Sequence, residues 1–141
     1  MCIRDRIKTA SHLYDIGKLI TPEYILNKPA PLNQEEWEII KRNAENSIRI
    51  IKYIRGLENI IPVIREIRET WDGKGYPNGL SGEQISTEAR LIALVDAYQA
   101  LISNRPYRDK LRKEEAIKEL QDEAGKKFDP KLVQDFLHIL L

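Results

Sequence analysis

The chain has 141 residues, of which 42% are hydrophobic and 32% are charged, a balance typical of one soluble globular domain with one core. The net charge of +1 gives no electrostatic reason to expect nucleic acid or a membrane surface as a partner. The one cysteine, Cys2, excludes an internal disulfide and favours a reducing compartment, so we expect a cytoplasmic protein. No apolar run reaches the roughly 18 residues that a membrane span needs.

The first six residues differ in character from the rest of the chain. Residues 1–6 are polar and lead abruptly into the chain. The helical spacing of apolar residues begins near Ile7, as if in the middle of a helix. We therefore expect residues 1–6 to be a non-native or disordered leader and residues 7–141 to form one domain. A domain that begins in this way also indicates a fragment of a longer protein whose N-terminal helices are missing.

Apolar residues recur at helical spacing over four segments in the first half of the chain, which predicts helices there. These segments are residues 7–14, 21–26, 33–55 and 57–71. The third segment has the clearest boundaries, because Asn33 and Glu36 form a capping-box pair at its start and Gly56 stops it.

The second half of the chain predicts three more helices. They cover residues 86–103, 113–124 and 129–141. The first of them is apolar almost all round, which predicts that it lies in the core. No strand pattern occurs, so the sequence predicts an all-α fold, a single helical bundle of about six to seven helices.

Residues 71–79, the glycine-rich loop, separate the two halves. Their sequence, Trp-Asp-Gly-Lys-Gly-Tyr-Pro-Asn-Gly, has three glycines and one proline and is incompatible with a helix interior or a central strand. Two large aromatic residues, Trp71 and Tyr76, stand in the same short span. The loop therefore predicts a shaped site, with Asp72 as an acceptor that caps the turn.

Two further features predict chemistry. Asp96 lies in the middle of the apolar helix, where an unpaired carboxylate would be costly, so it needs a cation, a metal or several donors. Two interpretations stay open for it: an ion pair with a nearby arginine or helix N-terminus, and a ligand role. Arg105 and Arg108 stand close together in a turn, where they either hold phosphate oxygens in charge-assisted bonds or form a solvated basic turn.

Several segments, taken in order along the chain, share a pattern with one known family. Residues 71–77 are similar to the signature loop of HD-GYP domains, and residues 13–18, Leu-Tyr-Asp-Ile-Gly-Lys, are similar to their Leu-His-Asp-Ile-Gly-Lys segment. The other similar segments are residues 25–29, 35–38, 89–98, 105–108 and 128–130. HD-GYP domains are bacterial all-helical metal phosphodiesterases that hydrolyse cyclic-di-GMP. The resemblance implies a bundle of the HD-domain type and a role in cyclic-di-GMP signal transduction.

The resemblance also implies roles for individual residues. Asp15 would bridge two metal ions and Lys18 would assist at the phosphate, whereas without the family both would belong to a solvated helix end. Asp96 would be a second metal-binding aspartate. Tyr76 would offer its ring to a guanine base, or else pack to pin the loop. The ligand-binding residues would be Gly75, Tyr76 and Pro77 of the loop, together with Arg105 and Arg108.

The departures from the family fall on the metal ligands. Where the family has histidines, the chain has Tyr14, Asn43, Ile67 and Arg68. Asp15 and Asp96 alone would form a weak site, because a pair of Fe, Mn or Zn ions needs several imidazoles and carboxylates. Arg68 keeps its proton, so we hypothesise a metal-free polar core in which Arg68 pairs with both aspartates and replaces the metal charge. His12 and His138 are expected at the surface or at the edge of the core.

Three functions fit these features to different degrees. We favour a catalytically degenerate HD-GYP-like domain that acts as a binding or regulatory module, without a metal cofactor. Its expected partners are cyclic-di-GMP or a related dinucleotide, and a partner protein or an attached sensor or receiver domain. The first alternative is an active metal-dependent cyclic-di-GMP phosphodiesterase, and the second is a structural helical module that forms a homodimer.

Overall fold

The computed structural model describes residues 1–106 and 108–141. The described residues form eight α-helices and three short 3₁₀ helices, and none of them lies in a β-strand. The α-helices are α1 (Ile3–Leu13), α2 (Glu23–Leu26), α3 (Gln34–Lys41), α4 (Asn43–Ile51), α5 (Ile61–Glu66), α6 (Thr87–Ile102), α7 (Lys113–Glu123) and α8 (Pro130–Leu140). The 3₁₀ helices are Ile16–Ile20, Glu58–Ile60 and Gly82–Gln84. The predicted all-α class is therefore confirmed, and no helix in the described ranges has the length and apolar character needed to cross a membrane.

The chain divides into two compact units, residues 1–65 and residues 66–141. The first contains α1 to α4 and most of α5, and the second contains the glycine-rich loop and α6 to α8. Helix α1 begins at Ile3, so most of the segment expected to be a leader is helical. That residues 1–6 are non-native stays a prediction.

In the first unit, α4 packs closely against the 3₁₀ helix Ile16–Ile20. A Cβ atom on Gly17 would lie 2.2 Å from the carbonyl oxygen of Asn43 and 2.5 Å from the amide nitrogen of Ser47, so only glycine fits there. The buried hydroxyl of Ser47 accepts from the amide of Gly17 at 2.8 Å and donates to the carbonyl of Tyr14 at 2.7 Å. These contacts fix the segment that carries Tyr14 and Asp15 against α4.

Two predicted helices are shorter than their apolar patterns. The helix predicted over residues 33–55 is divided at Arg42, where the amide bonds the carbonyl of Ile39 three residues back and tightens the turn. The helix predicted over residues 57–71 is helical as α5 only to Glu66. Beyond it the backbone amides find partners outside the helix, as when the Trp71 amide donates to the Lys127 carbonyl at 3.1 Å.

The core of the second unit lies between α6, α7 and α8. Its buried members are Leu94, Tyr98, Ala116, Leu120, Val133 and Leu137. The ring of Tyr98 meets the ring of Phe136 edge-on, with 5.4 Å between the ring centroids. The prediction that α6 lies in the core is confirmed for the face that carries Leu94 and Tyr98, whereas Val95 is 37% exposed and Gln99 is exposed as well. Helix α6 packs with one broad face and leaves another open.

Candidate functional site

A buried carboxylate just before the glycine-rich loop holds the far end of that loop. Glu69 is 4% exposed, and its two carboxylate oxygens accept from the backbone amides of Asn78 and Leu80 at 2.7 and 2.9 Å. Within the loop, the amide of Tyr76 donates to the carbonyl of Arg68 at 3.2 Å. The loop is thus folded back onto the residues that precede it, which gives it one defined shape.

The glycines of the loop are required for two separate reasons. A Cβ atom on Gly75 would lie 2.5 Å from the carbonyl oxygen of Arg68 and 2.5 Å from the amide nitrogen of Thr70. Gly73 and Gly79 instead have φ values of +78° and +66°, where residues with a side chain are strained. Close backbone approach and left-handed conformations together explain the composition that marks this loop in the sequence.

Arg90 of α6 links the loop to the start of α8. Its guanidinium pairs with Asp129, with 2.5 Å between Nη1 and Oδ2, and its Nε donates to the carbonyl of Ile85 at 3.0 Å. The guanidinium carbon also lies 5.7 Å from the ring centroid of Trp71, in cation–π contact. Asp129 caps α8 at the same time, because its Oδ1 accepts from two amides of the first turn. One mostly buried ion pair therefore supports both elements.

Asp72 caps the loop from within. Its Oδ1 accepts from the hydroxyl of Thr70 at 2.6 Å and from the amide of Lys74 at 3.1 Å. The bond from Thr70, and after it the bond from the Lys74 amide, hold the pKa of the Asp72 carboxyl below its ordinary range. A carboxyl that stays ionised suits the loop-capping role predicted for Asp72 and does not suit a general acid.

Arg68 and Asp96 form an ion pair within the second unit. Nη1 of Arg68 lies 3.3 Å from Oδ2 of Asp96, and the two side chains are 38% and 26% exposed. Asp96 is thus less buried than its place in an apolar helix predicts. The geometry corresponds to the first of the two interpretations left open for this residue, an ion pair with a nearby arginine.

The candidate site residues of the first unit are also paired within that unit. Oδ2 of Asp15 lies 2.9 Å from Nζ of Lys18, three residues further on. Oδ1 of Asn43 accepts from the hydroxyl of Thr21 at 2.5 Å. Asn43, which stands at a histidine position of the HD-GYP pattern, therefore has its acceptor oxygen bound to another side chain.

The predicted basic turn is exposed. Arg105 and Arg108 are joined by two backbone hydrogen bonds of 2.8 and 3.2 Å. The guanidinium of Arg108 donates to the carbonyl of Ala100 at 3.0 Å, so the backbone uses part of its donor capacity. Tyr107, between them, lies outside the described residues. Arg105 is therefore the better candidate for a phosphate contact.

Two residues that build this site, Glu69 and Arg90, were not predicted from the sequence. Arg90 had the same signal that drew attention to Asp96, a charged residue inside an apolar helix, and that signal could have found it. Glu69 had no such signal, because an acidic residue between Arg68 and a polar loop is typical of a solvated helix end.

Comparisons with known proteins agree with this fold. The family model described as an HD domain matches residues 3–132. A crystal structure of a cyclic GMP-AMP specific phosphodiesterase from Vibrio cholerae aligns with a TM-score of 0.71, covering 96% of this chain and 37% of that one. The sequence identity in this alignment is 19%, so the match concerns the fold alone. The fold is that of the HD class.

Curated relatives are more similar in sequence. The chain is 39% identical over 134 residues to the 3'3'-cGAMP-specific phosphodiesterase 2 of Vibrio cholerae, covering 92% of this chain and 25% of that protein. It is 37% identical over 137 residues to the cyclic di-GMP phosphodiesterase of Thermotoga maritima, covering 94% of this chain and 37% of that protein. The chain belongs to the HD-domain family, as an HD-GYP domain, and spans about a quarter to just over a third of these relatives.

The family implies a metal centre, and the described residues present no compact donor set for one. In the part of the chain that the structure describes, no three His, Cys, Asp or Glu side chains come together closely enough to hold a metal ion. His12 and His138 are both exposed, in agreement with the sequence analysis. Asp96 pairs with Arg68 and Asp15 pairs with Lys18.

Proposed function

We propose that this chain is a catalytically degenerate HD-GYP domain that binds a cyclic dinucleotide and acts as a regulatory module. One ion pair carries this proposal: Arg68 lies 3.3 Å from Asp96, where the family resemblance implies a metal-binding aspartate beside histidines. Because the guanidinium keeps its proton, the positive charge beside Asp96 comes from the chain itself. A partner protein or an attached sensor or receiver domain would respond to the bound state.

A metal ion at Asp96 would have to displace Arg68 or bind beside it. Two unit charges ~4 Å apart repel by about 4 kcal/mol at an effective dielectric constant of ~20, and a divalent ion doubles this figure. Arg68 is 38% exposed, so water and salt screen much of the repulsion. The repulsion that remains after screening weakens metal binding further. The site already has no imidazole at the four positions where the family has histidines.

The features that would contact a dinucleotide are better preserved than the metal ligands. Gly75, Tyr76 and Pro77 lie in a loop that Glu69 holds in one shape, and Arg105 is exposed in its turn. An aromatic ring suits a purine base, and an arginine suits a phosphate. The Vibrio cholerae and Thermotoga maritima relatives act on 3'3'-cGAMP and cyclic di-GMP, so these two dinucleotides are the ligands to test.

The second candidate function is an active metal-dependent phosphodiesterase. It is favoured by the identities of 39% and 37% to proteins that are named as cyclic-dinucleotide phosphodiesterases. In that case the ion pair between Arg68 and Asp96 would have to open when metal ions bind.

Hydrolysis and binding assays separate the two functions. Each dinucleotide is incubated with the protein and with Mn²⁺, Fe²⁺ or Zn²⁺, the Thermotoga maritima relative serves as positive control, and products are separated by chromatography. Binding is measured by calorimetry on the same preparation. We expect dinucleotide binding without a linear product. A metal-dependent product would establish the active enzyme instead, and neither binding nor hydrolysis would favour a structural helical module.

A further inference from the structure

The carboxylate of Glu69 has an arrangement that an ordinary helix-end glutamate does not need. It is 4% exposed, and each of its two oxygens accepts from a different backbone amide, that of Asn78 at 2.7 Å and that of Leu80 at 2.9 Å. A carboxylate is costly to bury, and two charge-assisted bonds of this length offset that cost. Both oxygens of the buried Glu69 carboxylate are thereby used to hold this one loop.

The two amides also depend on Glu69. They lie outside any helix or strand, so their donors need a partner that secondary structure does not supply. Two residues before Asn78, the amide of Tyr76 donates to the carbonyl of Arg68, and Gly75 passes against the same peptide group. Residues 76–80 are therefore fixed at both ends by residues 68 and 69.

We propose that Glu69 is a positioning residue, which sets the place of Tyr76 for ligand binding by holding the amides of Asn78 and Leu80. The ligand half of this inference rests on the proposed function, since it takes a cyclic dinucleotide as the molecule that Tyr76 meets. Glu69 itself does not touch the ligand. Its substitution changes affinity only through the loop.

Glu69→Gln tests the contact with the smallest change of shape. A glutamine oxygen can still accept from one amide, but its amide group would point a donor at the second donor, which leaves one backbone N–H without a partner. Loss of a hydrogen bond to a charged acceptor shifts an equilibrium by roughly tenfold or more. Glu66→Gln is the matched control, because Glu66 accepts from the amide of Ser86 at 2.8 Å and not from the loop.

Hydrogen exchange and tryptophan fluorescence report on the loop, and calorimetry reports on ligand binding. Repeating the calorimetry in a Tyr76→Ala background shows whether the loop acts on the ligand through Tyr76. Hydrogen exchange follows the amides of Asn78 and Leu80. In a Trp37→Phe background Trp71 is the one tryptophan of the chain, so iodide quenching of its fluorescence reports on the loop. Calorimetry gives the Kd of cyclic-di-GMP and 3'3'-cGAMP, with and without Tyr76→Ala. Glu69→Asp, which keeps the charge on a shorter side chain, replaces Glu69→Gln if that variant does not fold.

With Glu69→Gln we expect roughly tenfold faster exchange at both amides, stronger quenching of Trp71 and a roughly tenfold weaker Kd. In the Tyr76→Ala background we expect the effect on Kd to disappear, and we expect Glu66→Gln to leave all three readouts unchanged. Unchanged exchange would overturn the positioning role outright. Faster exchange with an unchanged Kd would reduce Glu69 to a structural anchor. If the unsubstituted chain binds neither dinucleotide, the proposed function and the ligand half fail together, while exchange still decides whether Glu69 holds the loop.

Discussion

The buried ion pair between Arg90 and Asp129 predicts a large loss of stability when its cation is removed. Arg90→Met keeps the aliphatic stem but removes the bonds to Asp129 and Ile85 and the contact with Trp71. Breaking a fully buried pair by removing one partner costs about 3–5 kcal/mol. The two side chains are 14% and 8% exposed, and Asp129 keeps its amide donors in α8. We therefore expect a loss of about 2–4 kcal/mol in the free energy of unfolding.

Urea unfolding followed by circular dichroism measures this loss. Arg112→Met is the matched control, because Arg112 is 80% exposed in its ion pair with Glu115 and its replacement should leave the free energy of unfolding almost unchanged. Asp129→Asn, which keeps an acceptor for α8, completes a double-mutant cycle with Arg90→Met. We expect a coupling energy above about 1 kcal/mol. A coupling near zero would refute the reasoning even if Arg90→Met alone is destabilising.

Three further predictions concern the first unit, acid stability and the ligand. Gly17→Ala forces a Cβ atom to within 2.2 Å of a carbonyl oxygen, so we expect a loss of about 1–3 kcal/mol or more in thermal or urea unfolding; unchanged stability would contradict the packing described. The side-chain bond from Lys28 holds the pKa of Glu36 below its ordinary value. Glu36 therefore stabilises the fold when the pH is above that ordinary value, and this contribution is lost as the pH falls through the lowered pKa of the folded state. Glu36→Gln should reduce the pH dependence of the free energy of unfolding below about pH 4.5, the ordinary glutamate value, and an unaltered pH dependence would count against this account. Arg105→Ala should weaken cyclic-di-GMP binding roughly tenfold in calorimetry, whereas Arg112→Ala should not; equal effects of the two would remove Arg105 from the site.

Local chemistry made some elements of the fold predictable. Asn33 and Glu36 form the capping box that their spacing predicts, and Asp129 with Pro130 begins α8 as a cap followed by proline. These signals lie within four residues of one another, so the sequence contains all of the interacting groups. The all-α class followed from the same kind of short-range information.

Features that depend on distant partners were not predictable. Nothing near Arg42 in the sequence indicates the break between α3 and α4, since no glycine or proline is there. Gly17 fits its pattern as a helix end, yet it is required because α4 approaches its backbone. Glu69 bonds amides 9 and 11 residues away, a distance at which composition gives no guidance.

The predicted site contained both predictable and unpredictable features. The contact of Arg68 with Asp96 could be hypothesised because the family resemblance brings two distant positions together, whereas apolar spacing could not relate them. The degree of burial was not predictable, since Asp96 lies on an apolar helix yet is 26% exposed. Helical periodicity reports the average environment of a helix and not that of one side chain.

Metal content is the most direct test of the central claim, that Arg68 replaces a metal ion beside Asp96. The protein is incubated with Fe²⁺, Mn²⁺ or Zn²⁺, desalted and subjected to elemental analysis, beside a variant in which histidine replaces Tyr14, Asn43, Ile67 and Arg68 together. We predict well under one metal ion per unsubstituted chain and a clear gain in the variant. About two ions retained by the unsubstituted chain, as in a two-metal hydrolytic site, would contradict the claim and favour the active phosphodiesterase.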